Sequence, residues 1–115
     1  MIQRPYVPER GDIVLIASTP KTKDGTAGEH FGIVLSEAAF SAATGWMVVC
    51  PITREVKFSP FEVRIPPGLR AVGCVVASEM HTLDYIEHRT RFMERAPLGL
   101  LQEVQAIACA TIGCS

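Results

Sequence analysis

Two groups of polar side chains stand at the ends of apolar runs, where a rigid core can hold them in a fixed relation for chemistry. The first follows Met47-Val48-Val49-Cys50: just beyond this run the chain sets Thr53, Arg54, Glu55 and Lys57 close together. The second is His30, next to Glu29 at the loop-side end of the run Ile33 to Leu35. An imidazole with a reference pKa of about 6.5 serves as acid or base near neutral pH and as a cation when protonated. A hydroxyl donor with a guanidinium and an ammonium beside it suits a negatively charged group. The four cysteines, Cys50, Cys74, Cys109 and Cys114, form no Cys-x-x-Cys pair and no Cys/His cluster at zinc spacing. They read as structural thiols, and no metal or other cofactor is expected.

The elements that must position these groups follow from the apolar pattern. The chain is organised around Gly45 to Val63, which reads as a buried strand, a polar elbow at Pro51-Ile52-Thr53-Arg54, and a turn through Ser59-Pro60 into a further strand from Phe61. The continuous run Met47 to Cys50 predicts burial on both faces. Ile13 to Ile16 reads as the first strand and His30 to Ser36 as the second, with Phe31-Gly32 marking a close backbone approach. Between them, Ser18 to Glu29 is longer than a hairpin needs, which makes it a functional loop or a plain surface loop. Ala38 to Gly45 reads as a small, polar return. Val72 to Ala77 reads as a buried strand that Ser78 to Leu83 either continues or turns away from. Asp84 caps a helical turn, and His88 to Glu94 reads as a last strand. From Pro97 the spacing of Leu100, Leu101, Val104, Ile107 and Ala108 predicts an amphipathic closing helix that stops at Gly113.

Short strands followed by one helix, without strand–helix alternation, exclude a doubly wound sheet. They favour a mainly β fold, a small antiparallel barrel or half-barrel with the helix packed on it. The 115 residues, 48% hydrophobic and 20% charged, suit one domain over residues 11–113 preceded by a loose arm at 1–10. No apolar stretch approaches the length of a membrane span and the first residues do not read as a secretory signal, so a cytoplasmic location and no membrane partner are expected. A net charge of −1 argues against a general nucleic-acid coat, so such binding would need a local basic patch. His88-Arg89-Thr90-Arg91 is one candidate, although Glu87 and Glu94 make an ordinary charged surface an equal reading.

The order and spacing of several short pieces resemble the MazF/PemK toxins, the RNA-cutting half of bacterial type II toxin–antitoxin pairs. These pieces are YVPERGDIV from Tyr6, IVLS at Ile33 to Ser36, PIT at Pro51 to Thr53, SPFEV at Ser59 to Val63, Leu83-Asp84, and ERAP leading into LLQEV at Leu100 to Val104. The resemblance runs from Tyr6 nearly to Gly113. It implies an SH3-like antiparallel β-barrel of the MazF/PemK/CcdB type with a closing C-terminal helix. It also implies a homodimer that cuts single-stranded RNA without a metal, leaves a cyclic phosphate, and is inhibited by an antitoxin whose disordered tail fills the RNA groove. The chain departs from the family where an Arg-Pro pair usually precedes the second strand, since His30-Phe31 stands there. Val76 and Ser78 likewise occupy positions where some members carry a basic residue and an aspartate.

Cleaving RNA through its own 2′-hydroxyl needs a base, an acid and positive charge or donors facing the phosphorane. On the resemblance, His30 substitutes for the family arginine and Thr53 donates to the phosphate. Arg54 or Lys57 supplies charge, Glu29 orients His30, and Ser78 and Glu79 complete the substrate-binding set. Glu79 and His81 can equally pair with each other, and Arg54, Lys57 and Arg64 can be a solvated strand edge. Two other readings stay open. One is a family member that binds RNA or antitoxin without cutting. The other is a gyrase poison of the CcdB type, which acts through a tryptophan near its C-terminus, whereas the only tryptophan here is Trp46.

Overall fold

The structure, a computed structural model, describes residues 6–17 and 28–114. Strand β1, Asp12–Ala17, splits its side chains between two cores: Ile13 packs on one face of the sheet, Val14 and Ile16 on the other. Strand β2, Glu29–Val34, pairs antiparallel with β1 and divides in the same way, Ile33 with Ile13 and Val34 with Val14. Strand β3, Trp46–Thr53, runs antiparallel to β2. Its apolar run is buried on both faces, with Cys50 and Ile52 in the first core and Met47 and Val49 in the second, as its unbroken hydrophobicity predicts. Gly32 is the close approach expected beside Phe31: a Cβ there would stand 2.6 Å from Val49 Cγ2.

Between β2 and β3 the chain forms helix α1, Ala38–Thr44, where the sequence suggested an irregular return. Its alanines carry high helix propensity, and Gly45 ends it in the left-handed region at φ 79°, donating its N–H to the Ser41 carbonyl. Strands β4, Glu62–Arg64, and β5, Cys74–Val76, form a hairpin that pairs with the end of β3. Strand β6, His81–Asp84, pairs with Trp46 to Val49 at the start of β3. Of the two courses expected for Ser78 to Leu83, the chain takes the second: it turns off β5 and pairs again with β3, which is long enough to host two short neighbours in succession. Asp84 caps the following turn as expected, accepting the N–H groups of Ile86 and Glu87 at 3.0 Å. Strand β7, Arg91–Arg95, pairs with β1, and helix α2, Leu98–Ile112, closes the chain.

The sheet order is β4-β5-β3-β2-β1-β7, with β6 beside β3. This is the mainly β, antiparallel fold with a C-terminal helix, but the expected barrel does not close: among the described residues β4 and β7 do not pair. Side chains span the gap instead. Leu100, Leu101 and Val104 of α2 share one core with Val63 of β4 and Ile13 of β1. Glu94 on β7 also accepts the backbone N–H groups of Arg70 and Ala71, in the β4–β5 connection, at 2.9 and 3.0 Å.

Of the arm expected over residues 1–10, positions 1–5 lie outside the described residues, and the rest is tied down. Pro8 is fully buried, and the Tyr6 hydroxyl donates to Asp12, whose carboxylate also takes the Glu9 N–H and the Arg95 guanidinium. No helix among the described residues is long and apolar enough to cross a membrane.

Candidate active site

The β2–β3 ladder ends at the pair Gly32 and Pro51. Beyond it β3 turns to pair with β5, Thr53 opposite Cys74, and β2 goes on with β1 alone. The strands splay. By the alternation of side chains along each strand, His30 and Thr53 both belong to the face of Val34 and Val49, the face turned away from α2. His30 and Thr53 line one cavity of about 300 Å³ at this splay, with Glu29, Phe31, Arg54 and Val72.

Thr53 is held from two sides. Its Oγ1 accepts the N–H of Glu55 at 3.1 Å, so its own proton is left to donate outward. Behind it, Gly73 packs so closely that a Cβ would stand 2.1 Å from the Thr53 carbonyl oxygen, in a backbone conformation, φ 115°, that suits glycine. No other residue fits between β5 and this peptide. The reading of Val72 to Ala77 as a plain buried strand missed this: a lone glycine there signals a close approach, but not which peptide it approaches.

Thr53 is also the wall of a second cavity, about 310 Å³, which Pro51, Glu55, Lys57, Glu62 and Glu79 line. Glu62 is committed to structure. Its carboxylate takes the Cys74 thiol at 2.8 Å and the N–H groups of Lys57 and Ser59 at 3.1 and 2.6 Å, and these hydrogen bonds hold its pKa below the usual range. Burial and the same carboxylate push the Cys74 thiol up to about 11, while burial alone pushes Cys50 up to about 12, so both stay protonated and inert. On the other side Glu29 borders a third cavity, about 730 Å³, lined by Arg89, Thr90 and Arg91 of the basic stretch. Glu29 is common to the first and third cavities and Thr53 to the first and second, so the three adjoin along one groove-like stretch of surface.

The residues expected at the site divide accordingly. His30, Thr53, Glu29 and Arg54 meet in the central cavity, while Lys57 and Glu79 line the next one. Ser78 lines neither and sits in the turn between β5 and β6. Glu29 does not orient His30: neighbouring strand residues point to opposite faces, and its carboxylate lies 3.3 Å from the Arg91 guanidinium. His81 pairs with Glu79 only through the backbone, its Nδ1 3.0 Å from the Glu79 carbonyl oxygen. Of the loop expected over Ser18 to Glu29, residues 18–27 lie outside the described residues. Arg54 and Lys57 make no ion pair among the described residues.

Burial holds the His30 imidazole below its ordinary pKa, and the charges of His81 and His88 push it the same way. The spacing of the three histidines in sequence did not announce this; the fold brings their charges within reach of one another. The neutral ring required of a base is thus favoured at pH 7. Because the folded pKa is the lower one, the unfolded chain binds more protons here once pH falls below about 6.5, and stability drops as pH falls through that window. His30→Gln is expected to flatten this part of the curve, read as unfolding free energy by urea titration between about pH 5 and pH 7.5.

Fold and groove together define a small antiparallel β protein with a helical closure and a polar cleft lined by charges of both signs. A family model for PemK-like, MazF-like toxins of type II toxin–antitoxin systems matches residues 9–111. The chain is 28% identical over 108 residues to endoribonuclease PemK of Escherichia coli, spanning 90% of this chain and 81% of that protein. It is 30% identical over 83 residues to the endoribonuclease toxin MazF of Escherichia coli K12, spanning 72% and 73%. A chain of the MazE–MazF crystal structure from Deinococcus radiodurans superposes with a TM-score of 0.88 at 35% identity, over 96% of this chain and 100% of that one. This chain belongs to the PemK/MazF family of type II toxins.

Proposed function

We propose that this protein is an endoribonuclease toxin that cuts single-stranded RNA through the 2′-hydroxyl without a metal. The observation that carries the reading is the shared cavity of His30 and Thr53 at the middle of the groove. Neutral His30 takes the 2′ proton, O2′ attacks phosphorus, and the P–O5′ bond breaks, the departing oxygen taking a proton from water. The Thr53 hydroxyl and the Arg54 guanidinium face the charge that builds on the phosphorane. Lys57 on one side and Arg89 on the other track the flanking phosphates.

The same reading takes the described chain as a single domain acting in the cytoplasm as a homodimer. Exposed apolar side chains such as Trp46, Phe92, Leu98 and Ile112 offer surface for a second copy. An antitoxin that covers the groove is the further partner, supported by the MazE–MazF assembly of the Deinococcus relative. Incubation of the purified protein with single-stranded RNA in EDTA is expected to yield fragments ending in 2′,3′-cyclic phosphate, identified by mass spectrometry. RNA left intact would reduce the protein to a family member that does not cut.

A further inference from the structure

We infer that Phe58 is a stacking platform for a nucleobase of the bound strand, at the Lys57 end of the groove. The inference rests on the RNA-binding reading above and adds a contact that neither the central cavity nor the fold requires. Phe58 is 79% exposed, so it contributes little to the core. It nevertheless sits at φ 58°, in a region that bulky residues rarely adopt. Such a conformation persists only where neighbours over-determine it, and here they do. The Glu62 carboxylate holds the N–H groups of the residues on either side, Lys57 at 3.1 Å and Ser59 at 2.6 Å, and the backbone between them is forced outward.

The projected ring is steadied by Arg64, whose guanidinium carbon lies 5.1 Å over the ring centroid. Lys57 and Ser59 line the cavity that Thr53 walls, so the ring stands next to the groove while its side chain points out of that cavity. An exposed aromatic face backed by a guanidinium, beside a groove that carries Lys57, is an arrangement that stacks unpaired bases, and it tolerates any of the four because each has a π-face. Arg64 is then also placed to meet the phosphate of the stacked nucleotide.

The test maps the cut made by the unaltered protein. It then measures binding of an oligoribonucleotide that carries a 2′-O-methyl group at the cut and, in a scan, one abasic position at a time. Phe58→Ala and Phe58→Leu are expected to weaken binding of the intact oligonucleotide by about fivefold to a hundredfold, and Phe58→Trp to restore it. An abasic residue at one position near the cut should weaken the unaltered protein equally and remove the difference between it and Phe58→Ala. Thermal melts of the three variants, with an exposed ring replaced, should match the parent.

If the parent binds and cuts RNA but Phe58→Ala, or Phe58→Leu, binds as tightly, or no abasic position couples to the ring, the platform is overturned and the nuclease reading stands. Weakened capture of a peptide antitoxin with unchanged RNA binding overturns it as well. A parent that neither binds nor cuts RNA removes the nuclease reading and the platform with it.

Discussion

His30→Ala is expected to lower the rate of RNA cleavage by about 10²–10⁴-fold, the range by which a positioned general base accelerates proton transfer. The size follows from what the ring does at its site. His30 is half-buried and shares the central cavity with Thr53, and its burial keeps it neutral and ready to accept the 2′ proton. No hydrogen bond within the described residues would be broken by the change, so far-UV circular dichroism of the variant should match the parent. The check is single-turnover cleavage of one oligonucleotide across pH. The parent should gain rate as pH rises through the depressed pKa of His30, and the variant should lose that limb of the profile. A variant within tenfold of the parent, or one that keeps the limb, would remove His30 from the chemistry and leave Thr53 and Arg54 to account for it.

The largest effect on stability is expected at Asp12, far from the groove. Asp12→Ala should cost about 3 kcal/mol, the low end for breaking a buried ion pair because the Arg95 side chain is 54% exposed while that of Asp12 is 5% exposed. Arg95 can rehydrate, and it keeps its bond to the Arg10 carbonyl at 3.0 Å. The Tyr6 hydroxyl and the Glu9 N–H lose their acceptor, and the Tyr6 ring loses the anchor that sets it beside Phe92. A drop in the melting temperature of roughly 10 °C is the readout, with cleavage at low temperature unchanged. A drop below about 3 °C would mean that the carboxylate does not hold the segment from Tyr6 to the start of β1.

Much of the fold was legible from hydrophobic pattern. The unbroken apolar run of β3 announced burial on both faces, and the three- and four-residue spacing from Leu100 to Ala108 announced α2. What the pattern missed were elements whose residues carry no strong periodicity. Helix α1 is too short and too rich in alanine to show an apolar stripe. Strand β6 was hidden because His81-Thr82-Leu83-Asp84 owes its state to pairing with β3 rather than to its own propensity. Within the candidate site, His30, Thr53 and Arg54 could be named from residue type and from the family motif. Gly73 behind Thr53, Glu62 under the Lys57–Ser59 turn, and the nearness of His81 and His88 to His30 could not, because each depends on strands far apart in sequence.

Residue order alone determined that this is a mainly β toxin-family domain with a closing helix, and which side chains can exchange protons or meet a phosphate. Hydrophobic period and side-chain chemistry are local properties that a linear chain carries in full. Only the tertiary structure decided that the sheet stays open, that Glu29 turns to Arg91 instead of His30, and that Thr53 and His30 line one cavity where the strands part. Those outcomes rest on register and on which neighbour takes each backbone group of β3, and long-range pairing competes for such groups in ways that no short stretch of sequence encodes.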